Sequence, residues 1–133
     1  MYVKRVFYDN YDGIFNEEES LYNPTWKEIE SIIDSLDGRA ITQIIIDGGD
    51  EDNYLCIGGG NDELCNVYIS EDDNQKITNL VNKDYKDGVI HQLVTGGQMG
   101  EFSDKTCVSI SIAKKVAKKY CDMGTKDDAY EWE

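Results

Sequence analysis

Two segments of the chain repeat apolar residues at intervals of three and four positions, which is typical of amphipathic helices. The first predicted helix covers residues 24–36, with Asn23 as its N-cap and Pro24 in its first turn. Asp37-Gly38 is a pair that commonly ends a helix. The apolar face of this helix is expected to consist of Trp26, Ile29, Ile32, Ile33 and Leu36.

The second predicted helix covers residues 110–123 and has favourable capping residues at both ends. Ser109 is the expected N-cap and Gly124 the expected C-cap. Four lysines fall on one face of this helix, so the opposite face is expected to pack on the core. That face consists of Ile112, Ala113, Val116, Ala117, Tyr120 and Met123.

Shorter segments rich in β-branched residues lie between clusters of Gly, Asn and Asp, a pattern that predicts strands joined by tight turns. Because these connections are short, antiparallel pairing is expected. The predicted strands are residues 3–8, 41–46, 54–57, 64–70, 89–94 and 106–108, with 77–81 irregular or an edge strand. The remaining assignments are turns at residues 9–13, a solvated loop at 17–19 and a linker at 98–104.

The pattern therefore predicts a single α+β domain over residues 1–133, with a mainly antiparallel β-sheet and two principal amphipathic helices. A chain of 133 residues with 40% hydrophobic content can bury one core without metals or disulfides. No run approaches the ~20 apolar residues of a membrane span, and residues 1–5 lack the apolar stretch of a signal peptide, so the expected location is the cytoplasm. The cysteines lack a C-x-x-C pair and are expected to be buried, reduced thiols: Cys56, Cys65, Cys107 and Cys121.

Charge adds the strongest compositional signal. The formal net charge of -14 argues against nucleic acid or an anionic membrane as a direct ligand, because phosphates would meet a repelling field. Between Arg39 and Lys76 there is no basic residue, and nine acids fall in that stretch. These acids form either a well-solvated hairpin edge or a surface that meets a basic partner. They are Asp47, Asp50, Glu51, Asp52, Asp62, Glu63, Glu71, Asp72 and Asp73.

No motif assembles a catalytic or metal-binding constellation. The three-glycine segment 58–60 lies between predicted strands and lacks the Lys and Ser/Thr of a phosphate-binding loop. His91 lies in an apolar strand without a Cys or Ser at a motif spacing, which favours a structural role. Residues 47–53 carry calcium-ligand types but not the EF-hand order. We therefore expect a binding protein without a cofactor rather than an enzyme, with Trp132 docked on the domain.

Several short elements occur in a fixed order along nearly the whole chain. They are Asn23-Pro24-Thr25-Trp26, Leu36-Asp37-Gly38, Leu55-Cys56-Ile57-Gly58-Gly59-Gly60, Val94-Thr95-Gly96-Gly97-Gln98, Gly100-Glu101-Phe102, Val108-Ser109, Gly124 and Trp132-Glu133. The Gly-Gly-Gln element and the terminal Trp-Glu are the most specific members of the set. Together these elements resemble the Imm1 immunity proteins of bacterial polymorphic toxin systems.

The resemblance implies a protein that is made beside a secreted toxin and blocks it in the producing cell. Such toxins are frequently nucleic-acid deaminases, so the implied partner is a cognate toxin that is a deaminase or a nuclease. A toxin that acts on DNA or RNA carries a basic cleft, which an acidic inhibitor can occlude. We therefore expect the nine acids above to form or border the toxin-binding surface. The alternative is a small-molecule or metal-binding α+β module that uses the glycine-rich turns.

Overall fold

The computed structural model describes residues 1–50 and 52–133, which form two α-helices and eleven β-strands. Helix α1 is Trp26–Asp34 and helix α2 is Ile110–Met123. The strands are β1 (Arg5–Tyr8), β2 (Tyr11–Asp12), β3 (Phe15–Asn16), β4 (Glu19–Tyr22), β5 (Gln43–Asp47), β6 (Tyr54–Gly59), β7 (Leu64–Glu71), β8 (Lys76–Asn79), β9 (Ile90–Thr95), β10 (Gln98–Ser103) and β11 (Val108–Ser109). The predicted α+β class, with a mostly antiparallel sheet and two helices, is confirmed.

A seven-stranded antiparallel sheet organises the domain in the order β11, β7, β6, β5, β1, β4, with β8 also paired with β7. Strands β9 and β10 form a separate hairpin, and so do β2 and β3. The register of the large sheet aligns apolar residues in rows on one face. One row is Val6, Ile46, Leu55 and Ile69, and the next is Ile44, Ile57 and Val67.

The two helices pack on the face that carries these rows. Ile29 and Ile33 of α1 belong to the same buried cluster as the rows, and so do Ala113, Val116 and Ala117 of α2. Tyr120 is the largest fully buried side chain of the described residues, with 2% of its surface exposed. The core therefore lies between the helices and one face of the sheet, and the opposite face carries neither helix.

Helix α1 is shorter than predicted at both ends, because other residues cap it. The N-cap is Thr25, not Asn23: the Thr25 hydroxyl accepts from the Glu28 N–H at 3.2 Å, and the Glu28 carboxylate accepts from the Thr25 N–H at 2.9 Å. Asn23 adopts a left-handed φ of 52° ahead of the helix. The helix ends at Asp34 with Ser35 as its C-cap, so the predicted last residue, Leu36, is also wrong.

Helix α2 has the predicted bounds and caps. The Ser109 hydroxyl accepts from the Ile112 N–H at 3.2 Å, and Gly124 adopts a left-handed φ of 71°. The predicted apolar face is wrong at its last residue, because Met123 is 61% exposed. Cys121 is buried instead, since it follows Ala117 by one turn and lies on the same side of the helix.

The largest error in the sequence prediction concerns residues 98–104, which were assigned to a linker. Residues 98–103 form β10, which pairs with β9 across a two-residue turn, and Asp104 begins a short 3-10 helix. Gly96 and Gly97 have φ values of 63° and 77°, and positive φ at both central residues is what a type I′ hairpin turn requires. The predicted strand at 106–108 is wrong at its first two residues, because Thr106 ends a short 3-10 helix and β11 is Val108–Ser109.

The predicted turn and loop assignments before α1 are also incomplete. Strands β2 and β3 form a small hairpin, and β4 begins at Glu19 inside the predicted solvated loop. Strands of two residues are too short to show an alternating pattern, which is why the sequence did not indicate them. Strand β8 does lie at the sheet edge, as one of the two assignments for residues 77–81 anticipated.

The last residues are anchored as expected from the terminal tryptophan. Trp132 forms an isolated β-bridge with Leu80, and its indole Nε1 donates to the Asp127 carbonyl at 3.0 Å. Its ring packs against the core cluster. None of the helices in the described ranges reaches the length and apolarity of a membrane span.

The four cysteines are free and buried, as predicted. Burial raises the pKa of the Cys56 and Cys107 thiols to about 11, and that of the Cys65 and Cys121 thiols to about 12. All four are therefore protected both by packing and by their protonation state.

Ellman's reagent is accordingly expected to find no reactive thiol in the native protein near pH 8, where an ordinary thiol of pKa about 8.5 is substantially ionised. The denatured chain should titrate four thiols. Release of one equivalent of chromophore from the native protein would show that at least one cysteine is accessible and contradict this prediction.

Candidate protein-interaction surface

Four of the nine acids identified in the sequence lie together at one end of the sheet. The β5–β6 and β7–β8 connections meet there, because the Asp73 N–H donates to the Asp52 carbonyl at 3.2 Å and the Asp72 N–H donates to Asn53 Oδ1 at 3.4 Å. Asp50 adjoins them, and its Oδ1 accepts from the Asp52 N–H at 2.9 Å. We call the exposed residues Asp50, Asp52, Asp72 and Asp73 the acidic end.

The local sequence explains why the β7–β8 turn holds its acids outward. Asp72, Asp73 and Asn74 have φ values of 55°, 53° and 66°, a left-handed conformation that Asp and Asn tolerate better than other non-glycine residues. Asn74 Oδ1 accepts from Tyr54 Oη and Ser70 Oγ, each at 2.8 Å. The turn is thereby tied to β6 and β7 while its carboxylates face solvent.

Asp47 is not part of this surface, because it is 1% exposed. One carboxylate oxygen accepts from Arg5 Nε at 3.1 Å and from Arg5 Nη2 at 2.7 Å. The other accepts from the Gly49 N–H at 2.8 Å. Asp47 therefore joins β5 to β1 and begins the turn, which is a structural role.

The remaining sequence-predicted acids are dispersed. Asp62 and Glu63 are exposed in the β6–β7 turn, at the other end of these strands. Six strand residues separate the two ends, which corresponds to about 20 Å at roughly 3.4 Å per residue. Glu71 is half-buried opposite Lys76, and Glu51 lies outside the described residues.

The sheet face opposite the helices carries an aromatic patch that the sequence analysis missed. The rings of Tyr54 and Tyr68 meet edge to face at 6.2 Å, and the Arg5 guanidinium lies 5.0 Å from the centre of the Phe7 ring. Burial raises the pKa of Tyr68 above its ordinary value. We call the patch the open face, and it consists of Phe7, Tyr22, Ile45, Tyr54, Tyr68 and Ile77.

The open face adjoins the acidic end, since Tyr54 and Tyr68 lie on the strands that these turns connect. Its two outermost members are the most accessible: Tyr22 is 67% exposed and Ile77 is 51% exposed. The sequence signal that could have indicated the open face is the alternation of side chains along β6. Tyr54 and Cys56 lie on the face opposite to that of Leu55 and Ile57.

The three glycines at the end of β6 are packing positions. A Cβ atom at Gly58 would overlap the Thr95 side chain, and one at Gly60 would lie 2.6 Å from the Leu36 carbonyl group. A Cβ atom at Gly59 would lie 3.1 Å from a backbone oxygen of β7. The segment therefore lets the sheet, the end of α1 and the β9–β10 hairpin approach one another closely.

The Gly-Gly-Gln element has a related role. A Cβ atom at Gly97 would overlap the Tyr11 ring, and the Gly97 N–H donates to Thr42 Oγ1 at 3.0 Å. Gly96 completes the turn, and Gln98 is exposed as the first residue of β10. Trp26 begins α1 and packs on the core, with Lys118 Nζ 5.6 Å from its ring.

The described residues contain no group of three His, Cys, Asp or Glu side chains placed to hold a metal ion. His91 Nε2 lies 2.7 Å from Asp104 Oδ1, and this contact with the ring lowers the pKa of Asp104. The cavity that borders Gly96 has a volume of about 100 Å³, below the ~300 Å³ at which ligand pockets usually begin. Larger cavities, of about 310, 370 and 440 Å³, lie elsewhere on the described residues, and the glycines at 58–60 and 96–97 line none of them.

Comparisons with known proteins identify the fold and the family of this chain. The fold is similar to the crystal structure of a hypothetical protein from Neisseria gonorrhoeae, with a TM-score of 0.61 and 18% identity over 93% of this chain and 90% of that chain. A comparison with curated proteins found no match. The family model described as Immunity protein Imm1 matches residues 17–133. Since this match covers most of the sequence, the chain belongs to the Imm1 family of immunity proteins.

Proposed function

We propose that this chain neutralises a secreted toxin of the nucleic-acid deaminase class by covering its basic substrate cleft, in the cytoplasm of the cell that produces both proteins. Membership of the Imm1 family indicates the coarser role, which is toxin neutralisation by a protein whose partner is a cognate toxin. It also favours a role without catalysis. The observation that carries the proposed mode of binding is the position of the acidic end beside the open face.

The charge distribution supports a partner that acts on nucleic acid. An enzyme that binds DNA or RNA presents Lys and Arg to the phosphates. A chain of net charge -14 attracts such a cleft, and the acidic end concentrates exposed carboxylates on two adjoining turns. The same charges repel nucleic acid, so the chain is expected to bind the toxin and not its substrate.

The open face supplies the short-range part of the interaction. Aromatic side chains dominate the binding energy of many interfaces, whereas exposed charges mainly set the association rate. Tyr22 and Ile77 are the members with the most apolar surface to bury, at 67% and 51% exposure. A partner that covers them also meets the acidic end at the edge of the contact.

The alternative of a small-molecule or metal-binding module draws less support from the geometry. It relied on the glycine-rich turns, and Gly58, Gly60 and Gly97 are all closely approached by protein atoms. Space for a ligand is therefore small at the positions that the alternative requires.

Co-expression tests the function directly. The protein encoded beside this chain is expressed alone, and then together with this chain. We expect toxicity alone, restored growth together, and a complex that survives purification. The proposed function would be contradicted if the neighbouring protein is toxic and this chain neither restores growth nor binds it.

Charge removal at the acidic end is expected to slow association with the toxin. The double variant Asp72→Asn/Asp73→Asn keeps residues that tolerate positive φ, and should lower the association rate constant by about fivefold at low salt. The rate constant of the wild-type protein should fall as salt rises, because screening weakens steering. Stopped-flow mixing at several salt concentrations measures both effects.

The matched control is Asp62→Asn/Glu63→Gln at the opposite end of the sheet. Asp62 and Glu63 also have positive φ, at 55° and 61°, and the control removes the same amount of charge. We expect it to change the rate constant by less than about twofold. Equal effects of the two variants would show that the acidic end has no special part in steering, and a rate insensitive to salt would exclude electrostatic steering.

A further inference from the structure

The tip of the β2–β3 hairpin exposes an apolar pair that has no role in the fold. Ile14 is 89% exposed and Phe15 is 72% exposed, the highest values among the large apolar side chains of the described residues. Apolar residues exposed singly are common on protein surfaces, whereas contiguous exposed apolar surface marks interaction sites, and Ile14 and Phe15 are adjacent in the chain.

The base of this hairpin is firmly held. Asp9 is 7% exposed, and its Oδ1 accepts from the Thr42 N–H at 2.7 Å and from the Gln43 N–H at 3.0 Å. The Tyr11 N–H donates to the Ala40 carbonyl at 2.8 Å. A rigid base with an exposed tip loses little conformational entropy on binding, which favours a preformed contact.

The turn itself is favourable for the local sequence. Gly13 has a φ of 64°, and glycine is the preferred first central residue of a type II′ hairpin turn. Asp12 pairs with Phe15, and Tyr11 pairs with Asn16. The side chains of Ile14 and Phe15 are therefore presented by regular hairpin geometry.

Charges around the tip define the chemistry of the partner. No Lys or Arg occurs between Arg5 and Lys27 in the sequence. Asp12, Glu17 and Glu18 flank the tip and are exposed, and the exposed Arg39 lines a cavity together with Gly13. With three exposed carboxylates against one guanidinium, the surroundings of the tip carry net negative charge. The tip therefore complements an apolar pocket with a basic rim, and a second copy of this acidic chain would instead repel it.

We propose that Ile14 and Phe15 form a hydrophobic anchor that inserts into an apolar pocket with a basic rim on the cognate toxin. The inference rests on the proposed function for the identity of the partner. The hairpin tip precedes residues 17–133, the segment that the family model matches. The anchor and the acidic end lie at opposite ends of the open face. Strand β1 runs from Arg5, near the acidic end, to Tyr8, and the hairpin follows Tyr8.

Truncation of the anchor is expected to weaken the complex by accelerating its dissociation. Phe15→Ala should raise the Kd for the purified toxin by about 30-fold, the scale of an aromatic hot spot. Phe15→Leu should recover part of the affinity, because it keeps an apolar side chain. The increase should persist at high salt, in contrast to the effect of the Asp72 and Asp73 substitutions. The control is Met123→Ala, which truncates a side chain 61% exposed at the end of α2 and should leave the Kd unchanged.

A labelling experiment tests the contact without relying on affinity. The native cysteines are buried, so Ile14→Cys creates a reactive thiol at the tip and Met123→Cys creates one on α2. The maleimide labelling rate of this chain, followed by mass spectrometry, should fall at least about tenfold at position 14 in the complex. The rate at position 123 should stay the same.

The outcomes separate this inference from the proposed function. If the wild-type chain binds the toxin while Phe15→Ala binds equally well and position 14 stays fully reactive, the anchor is refuted and the proposed function stands. If the wild-type chain does not bind the toxin, the proposed function and the anchor both fail. Self-association that depends on Phe15, detected by sedimentation of the free chain, would also overturn the anchor by assigning the tip to a second copy.

Discussion

Replacing Gly60 by alanine is expected to lower the free energy of unfolding by about 4 kcal/mol, from backbone strain and a steric clash together. Gly60 has a φ of 99° and a ψ of -11°, which L residues rarely adopt. An added Cβ atom would lie 2.6 Å from the Leu36 carbonyl group and 2.7 Å from the Asp37 nitrogen. Because these are backbone atoms after α1, a rotamer change cannot relieve the overlap. Urea denaturation followed by circular dichroism measures the loss.

Gly88→Ala is the matched control for this prediction. Gly88 also has a positive φ, of 79°, but a Cβ atom there would have nothing within 4 Å. Gly88→Ala should therefore lower the free energy of unfolding only through backbone strain, by about 1 kcal/mol. Similar losses for the two variants would mean that the contact between Gly60 and the end of α1 is not tight.

Interior elements with a strong periodic pattern were predictable from the sequence. Helix α2 has its predicted bounds, and β5, β6 and β7 differ from prediction by only one or two residues at either end. These elements bury one face completely, so their apolar residues had to follow the period of the structure. The cap of α1 was harder to assign, because Asn23 and Thr25 are both suitable caps and only the capping box with Glu28 distinguishes them.

Elements that are not buried escaped the prediction. Strand β10 contains Gln98, Met99 and Glu101, all exposed, so it has no apolar alternation to reveal it. Strand β10 forms because the Gly96-Gly97 turn brings it into hydrogen bonding with β9. The residue pattern of one segment cannot show such a pairing. The β2–β3 hairpin was missed for the same reason, although it presents the most exposed apolar pair of the described residues.

The acidic residues could be identified from the sequence, but their grouping in space could not. Sequence proximity grouped Asp47 with Asp50, but the strand register directs Asp47 toward Arg5 and buries it. Sequence also separated Asp52 from Asp72 by twenty positions, whereas antiparallel pairing of β6 with β7 brings their turns into contact. The number of acids in the segment could be counted in the sequence. Their distribution between the two ends of the sheet depends on how the strands pair.

Asp9→Ala is expected to lower the free energy of unfolding by about 3 kcal/mol and to release the β2–β3 hairpin. The Asp9 carboxylate accepts from the Thr42 and Gln43 N–H groups and from the Thr42 hydroxyl. Thr42 is fully buried, so its N–H would lose its partner away from water. Urea denaturation measures the stability. Hydrogen exchange of the Tyr11 amide, which donates to the Ala40 carbonyl, measures the release of the hairpin.

Asp9→Asn is the control, because its Oδ1 atom still accepts from both backbone N–H groups and its amide can donate to the Thr42 hydroxyl. We expect it to cost about 1 kcal/mol, and to keep the Tyr11 amide protected. If the hairpin positions a binding anchor, Asp9→Ala should also weaken toxin binding while Asp9→Asn does so much less. Loss of stability with unchanged affinity would separate the two roles: Asp9 would then support the sheet without positioning the tip for binding.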